Sequence, residues 1–508
     1  MRGALLVCGT HSDAGKSLLT AGICRWLHRQ GVRVAPFKAQ NMSLNSVVTP
    51  EGAEVGRAQA VQAAACGIEP EAAMNPVLIK PSGERHSQVI VMGKPYADAD
   101  ARSYAALKDQ LRPVVADALR RLRERFDVVV CEGAGSPAEI NLRDRDVTNM
   151  WLARSARLPV VIVADIDRGG VFASLFGTLA LLDAADQAQV AGFVINKFRG
   201  ERTILAPGLE QLQQQTGRPT LGVLPFVADL WMDVEDSLAL DASRPEQPAA
   251  GGETLDVAVL RLRWISNFTD ADALGCEPGV RVRFTRSAAD IERADLVVIP
   301  GTKATIEDLE RLRATGLDRA LTARAAVGGP ILGICGGYQL LGERIEDRVE
   351  SRRGVVQGLG LLPASTRFEQ AKILRRRSGS SPLLGTAASG YEIRHGRVER
   401  TGGEELFVAD DGERDGCITG AVIGTAWHGV LEHDGFRRAL LMRVADARGR
   451  RFTPRGGQFA ALRAARLDAL GDLVAGHLDT AALGALIERG APADLPVIET
   501  EVRPCCAS

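Results

Sequence analysis

Three short stretches carry residues whose types and spacing could do chemistry. Val7 to Ser17 reads VCGTHSDAGKS. It approximates the phosphate-binding pattern of Gly, four residues, then Gly-Lys-Ser/Thr, but five residues separate Gly9 from Gly15. Glycines let successive N–H groups turn inward on a phosphate, Lys16 supplies a point charge, and the Ser17 hydroxyl suits Mg²⁺. Gly9, Thr10, Asp13, Gly15, Lys16 and Ser17 are therefore the predicted nucleotide contacts. The second stretch, Gly333-Ile334-Cys335-Gly336-Gly337, has the spacing of a nucleophile elbow with Cys in place of Ser. A helix N-terminus behind Cys335 would lower its thiol pKa. The Gly336 N–H would face a developing oxyanion, with Gly301 or Thr302 as the second donor. The third stretch, GTAWHGVLEHDGFRRAL, offers His428 after an apolar run and His433 in a more polar setting, and His428 is the preferred base. A carboxylate commonly follows such a histidine by two residues. Val430 stands there, Glu432 comes two later, and the third member of the site is left open.

Other candidates stand at the ends of apolar runs, where ligands of open α/β sheets gather. Glu132 closes FDVVVCE and is placed to join Ser17 at Mg²⁺. Asp165 and Asp167 end VIVADID, and Asn196, in VINKFRG, could read an adenine through its amide.

The elements that must position these residues follow from the hydrophobic pattern. Short β-branched runs (ALLVCG, VRVAPFK, FDVVVCEG, LPVVIVADI, VAGFVINK, TLGVLPF) alternate with helical periodicity as far as Phe226. Such alternation implies a parallel sheet covered on both faces. The Pro-, Ala- and Gly-rich segment from Leu240 to Asp256 marks a boundary, after which LDVAVLRL, VRVRFT, ADLVVIPG, GPILGICGG and AVIGTAWHG announce a second α/β unit. The expected organisation is a nucleotide-binding domain over 1–240, a linker over 241–253, a second domain over 254–445 and a helical extension over 446–508. Within the second domain, RRRSGSSPLLGTAASG reads as a mobile loop insertion. The tail from Gln458 to Gly490 has helical spacing without aromatic anchors or a strong basic face, so it is expected to pack on a domain or a partner rather than a membrane.

Composition bounds the class. The chain has 508 residues, 45% hydrophobic and 25% charged, with a formal net charge of -1. That gives no basic field for nucleic acid and no polybasic membrane signal. The apolar start is strand-length, too short for a signal peptide or a span. Nine cysteines without CxxC or zinc-finger spacing read as reduced thiols of a cytoplasmic protein. A homo-oligomer is compatible with all of this.

A Cys–His elbow domain joined to a phosphate-loop domain resembles a glutamine amidotransferase. The first half resembles the dethiobiotin synthetase-like family, whose loop carries the extra residue. Over nearly its full length the chain resembles the cobyric acid synthase family, through GTHSDAGKS, FKAQNMSLNS, GAEVGRAQAVQA, NPVLIKPSGERHSQVIV, EGAGSPAEINL, VADIDRGGVFAS, INKFRG, RLRWISNFTDADAL, IPGTKATIEDL, GICGGYQLLG and WHGVLEHDGFR. The resemblance implies an N-terminal doubly wound P-loop domain and a C-terminal class I glutamine amidotransferase-like α/β domain. It implies hydrolysis of L-glutamine at Cys335. It also implies ATP-dependent amidation, with Mg²⁺, of the b, d, e and g carboxylates of a corrinoid, adenosylcobyrinic acid a,c-diamide. On that reading Lys38 and Asn41 contact phosphate or substrate, Asp146 positions or shields the reacting carboxylate, and Glu54 is a further Mg²⁺ ligand. The family's GYEIHMG reads GYEIRHG here, from Gly390 to Gly396, so no role is carried over to that histidine. Cobyrinic acid a,c-diamide synthases share both domains, but the order of N-terminal motifs favours the first family. A partner- or membrane-binding ATPase with a degenerate amidotransferase domain is disfavoured by the intact Cys335 and His428.

Overall fold

The computed structural model describes residues 1–83, 86–227, 230 and 253–499. The expected linker falls outside these residues except for Glu253, as do Cys505 and Cys506. The apolar runs of the first half form six parallel strands in the order Thr220–Pro225, Val190–Phe198, Val160–Asp165, Gly3–Gly9, Val128–Glu132, Val34–Phe37. Gly3–Gly9 lies at the switch point, with later strands on either side, so the loop after it opens into the crevice where such sheets bind ligands. Helices cover both faces, and the central strands are buried throughout.

The second half repeats the principle. Val280–Thr285, Leu255–Leu260, Leu296–Ile299, Ile331–Ile334 and Val422–Thr425 are parallel neighbours in that order, and Cys417–Thr419 closes the edge antiparallel. The strand Ile331–Ile334 is flanked on both sides and delivers Cys335 to the C-terminal edge.

Two features depart from expectation or extend it. The segment expected to be a mobile loop is the distal part of a long hairpin, Ala364–Ser381 paired with Thr386–Arg400. Its polar composition misled because cross-strand ion pairs, not an apolar face, hold it: Arg375 and Arg377 on one strand both reach Glu392 on the other. The hairpin packs Tyr391 and Ile393 against Val47, Val48 and Val55 of the first half. The C-terminal helices Phe459–His477 and Thr480–Arg489 return to the first half. There Leu467, Leu470, Val474, Leu483 and Ile487 share a core with Leu19, Ile23 and Leu27 of the helix Lys16–Arg29. Arg25 and Asp468 pair at 2.8 Å beside this contact. Among the described residues no helix is long and apolar enough to cross a membrane.

Candidate active site with two cavities

The loop after Gly3–Gly9 borders a cavity of about 1010 Å³ that takes in residues from both halves: Ser12, Asp13, Lys16 and Ser17 from the loop, and Arg263, Trp264 and Phe268 from beyond the linker. The helix Lys16–Arg29 begins at Gly15, whose φ of 105° is a conformation that only glycine adopts without strain. Lys16 Nζ folds back to donate to the carbonyls of His11 at 3.0 Å and Gly135 at 3.2 Å. Ser17 Oγ donates to Glu132 Oε1 at 2.8 Å, and Lys38 Nζ reaches the same oxygen at 2.9 Å. Glu132 is fully buried, and Gln62 Nε2 donates to its other oxygen. The structure thus brings Ser17, Lys38 and Glu132 to one point, with Lys16 and Asn41 on the same cavity wall and the Asn41 amide bonded to Gln59.

Other expected residues are placed differently. Gly9 and Thr10 end the strand, and the Thr10 N–H donates to Val163 O within the sheet. Asn196, expected to read an adenine, donates its Nδ2 to Ala14 O at 3.1 Å and packs against Gly15, so it props the loop. Asp165 takes Lys197 at 2.7 Å, and the Lys197 ammonium also holds Asp13 O. Asp146 lines the cavity, but Thr148, Asn149 and Trp151 donate their backbone N–H groups to its carboxylate, so it orders the start of the helix Met150–Ala156. The expectation of Glu54 as a metal ligand is corrected. Its two oxygens pair with Lys80 and Lys372, a residue of the long hairpin, away from Ser17. These lysines hold the Glu54 carboxyl well below the usual range despite its burial.

The second cavity is small, about 40 Å³, and Cys335 and His428 both line it. Cys335 has φ 51° and ψ -106°, a strained turn from strand to helix of the kind an elbow needs. The turn fits because Gly337 has no Cβ: one placed there would lie 1.9 Å from Ile299 O. Gly336 packs against the backbone of Thr302, and Thr302 lines the same cavity as Cys335. The expected low thiol pKa is not found. Burial pushes the Cys335 thiol up to about 11, against the smaller pull of Arg394 and the Gly336 N–H. The helix behind it is only six residues long, and desolvation outweighs it.

His428 packs over Gly301, where a Cβ would come within 2.6 Å of its Cε1. Its backbone exchanges hydrogen bonds with Tyr391 of the hairpin, and the two rings stack with centroids 5.6 Å apart. Burial, helped by Lys80, depresses its pKa to about 3, so the imidazole is neutral at neutral pH. Its Nδ1 has no hydrogen-bond partner among the described residues. Glu432 turns instead to Arg57 and Arg463. His433 accepts from Phe436 N as a helix cap.

Sequence reading missed Asp270, Lys80 and Asn267. Buried Asp270 accepts from Gly429 N at 2.9 Å and Leu431 N at 3.0 Å, fixing the backbone just after His428. Its only sequence signal is an acid, with Asp272 two residues on, in a run of small and apolar residues. Lys80, from the first half, lines the Cys335 cavity.

The chain matches two family models: a CobQ/CobB/MinD/ParA nucleotide binding domain over 5–238 and a CobB/CobQ-like glutamine amidotransferase domain over 256–436. It is 58% identical to the cobyric acid synthase of Frankia casuarinae over 98% of this chain and 99% of that one. The cobyric acid synthases of Streptomyces avermitilis and Streptomyces coelicolor are each 57% identical, again over 98% of this chain. The chain belongs to the cobyric acid synthase family. The first match includes the Ser17–Glu132 pair, and the second includes Cys335 and His428 of the smaller cavity.

Proposed function

We propose that the chain amidates the b, d, e and g carboxylates of adenosylcobyrinic acid a,c-diamide, using ATP and glutamine. The observation that carries this reading is the pairing, on adjoining walls of one chain, of a phosphate-loop cavity of about 1010 Å³ with a Cys–His pocket. In the smaller cavity, His428 takes the thiol proton as Cys335 Sγ attacks the glutamine side-chain carbonyl, and the Gly336 N–H steadies the oxyanion. The proton passes to the departing nitrogen, ammonia leaves, and water hydrolyses the thioester to glutamate. Burial of the thiol makes this concerted proton removal necessary, because little thiolate exists beforehand.

In the larger cavity, the γ-phosphoryl group of ATP passes to a corrinoid carboxylate. Ammonia then displaces phosphate from the acyl phosphate to form the amide. Lys16 and the loop amides neutralise charge on the moving phosphoryl group. The Ser17 hydroxyl and the Glu132 carboxylate fit a hard divalent cation, being oxygen donors 2.8 Å apart at the loop. These two residues would hold Mg²⁺, which when bound supplies charge neutralisation at the phosphates.

The test supplies ATP, Mg²⁺ and the diamide to Cys335→Ser with either glutamine or a high concentration of ammonium. The variant should lose amidation from glutamine and keep it from ammonium. Full activity with glutamine removes Cys335 as nucleophile, and inactivity with ammonium removes the first half as an independent synthetase.

A further inference from the structure

The two cavities share a thin wall, and consecutive residues of that wall face opposite sides. Trp264, Ile265 and Phe268 line the large cavity, whereas Ser266 and Asn267 line the small one. Lys80 and Pro81 divide in the same way. At the centre, two asparagines clasp the halves together. Asn267 N donates to Asn45 Oδ1 at 2.8 Å, and Ser46 N donates to Asn267 Oδ1 at 2.7 Å. Asn45 lines the large cavity and Asn267 the small one, and both are buried. Asn267 has φ 50°, so its backbone is turned to present the amide side chain to the other half. Beside the clasp, Lys80 Nζ donates to Ser46 Oγ at 2.9 Å and to Glu54 Oε1 at 2.7 Å.

We propose that the Asn45–Asn267 clasp is the gate through which ammonia crosses from the Cys335 pocket to the phosphate-loop cavity. The proposal rests on the assignment of the two cavities given above. The Cys335 pocket, of about 40 Å³, has room for molecules the size of water or ammonia. The clasp is a pair of hydrogen bonds rather than a packed apolar plug. Ammonia donates and accepts hydrogen bonds, so it can replace each of these bonds in turn as it passes. The ions beside it favour the neutral molecule: Lys80 and Lys372 together outnumber Glu54 by one charge, which opposes entry of ammonium. Both halves contribute to the gate, so the passage exists only when they are docked.

The experiment gives the enzyme ATP, the diamide, unlabelled glutamine and excess nitrogen-15 ammonium at neutral pH, and measures the label in the new amides. The wild type should build amides mainly from glutamine nitrogen. Asn267→Gly preserves the left-handed backbone and removes the side-chain oxygen that accepts from Ser46 N, one of the clasp's two bonds. It should admit severalfold more label and form fewer amides per glutamine hydrolysed. Asn45→Ala, which removes the opposite acceptor, should do the same. Cys335→Ser with ammonium alone, run in parallel, reports whether the synthetase assignment itself holds. If wild-type amides already match the bulk label, ammonia does not cross inside the protein. Unchanged labelling in a variant that still uses both nitrogen sources removes the clasp from the route.

Discussion

Arg57 Nη2 and Glu432 Oε1 lie 2.6 Å apart, joining the first half of the chain to the segment four residues beyond His428. Arg57 is buried, and the pair spans the boundary between two domains that the sequence presents as separate. Arg463 holds the other oxygen of Glu432, so the carboxylate is gripped by residues on either side of the amidotransferase domain. Arg57→Met should lower glutaminase kcat/KM by about tenfold, or ~1.4 kcal/mol, by loosening the segment that carries the imidazole. Ammonium-dependent amidation should not change, since Arg57 does not line the larger cavity. Unchanged glutaminase kinetics would make the pair a clamp between the halves without influence on the pocket.

Glu132→Gln should raise the Mg²⁺ concentration needed for half-maximal amidation with either nitrogen source. The substitution keeps the shape and a hydrogen bond to Ser17 but removes the charge. Lys38, at 2.9 Å, then loses its counter-ion, so a modest loss of stability should accompany the effect. A Mg²⁺ titration identical to wild type would exclude Glu132 from the metal site.

His428→Ala should abolish glutaminase activity while ammonium-dependent amidation survives. His433→Ala should retain glutaminase activity, because its ring caps the helix Asp434–Ala447. Removing a cap costs about 1 kcal/mol, visible in a thermal melt. The reverse pattern of activities would reassign the base.

Asp270 carries a pH signature. Burial raises its folded pKa to about 7, opposed by the Leu431 and Gly429 N–H groups, whereas an unfolded carboxyl titrates near ~3.9. Between these values the folded chain binds a proton that the unfolded chain has shed. Stability from this group is therefore greatest at the acid end of that window and declines as pH rises towards 7. Asp270→Asn removes the titration. Its melting temperature relative to wild type should climb from about pH 5 to about pH 8, on top of a pH-independent offset for the lost acceptor. A difference flat across that range would mean that Asp270 is ionised throughout.

The parts of the site legible in the sequence are those written in one contiguous stretch. The phosphate loop needs a strand, closely spaced glycines and a helix start, and the elbow needs small residues around Cys335; each is complete within about a dozen residues. Glu132 was also legible, because the end of a buried parallel strand faces the ligand crevice. Glu54 was not, since its partners include Lys372, more than three hundred positions later, and only the hairpin brings that lysine to it. The hairpin was hidden for a related reason. Its distal strands carry serine, glycine and arginine where an isolated strand would show apolar alternation, and the cohesion comes from Arg–Glu pairs across the register and from contact with the first half, such as Arg376 Nε to Val48 O at 3.0 Å. Asn196 was placed at the right strand end, but its contacts depend on how closely Gly15 approaches it.

The return of the C-terminal helices to the first domain sets the order in which the chain can mature. The helix Lys16–Arg29 leaves synthesis early, yet the surface it offers to Leu470 and Val474 stays uncovered until the helix Phe459–His477 has been made. At translation rates on the order of 5–20 residues per second, that interval lasts tens of seconds. During it the nascent nucleotide-binding domain displays an apolar face with no native cover. The amidotransferase domain is translated inside this interval, so docking of the tail closes the first domain only after the second is already present.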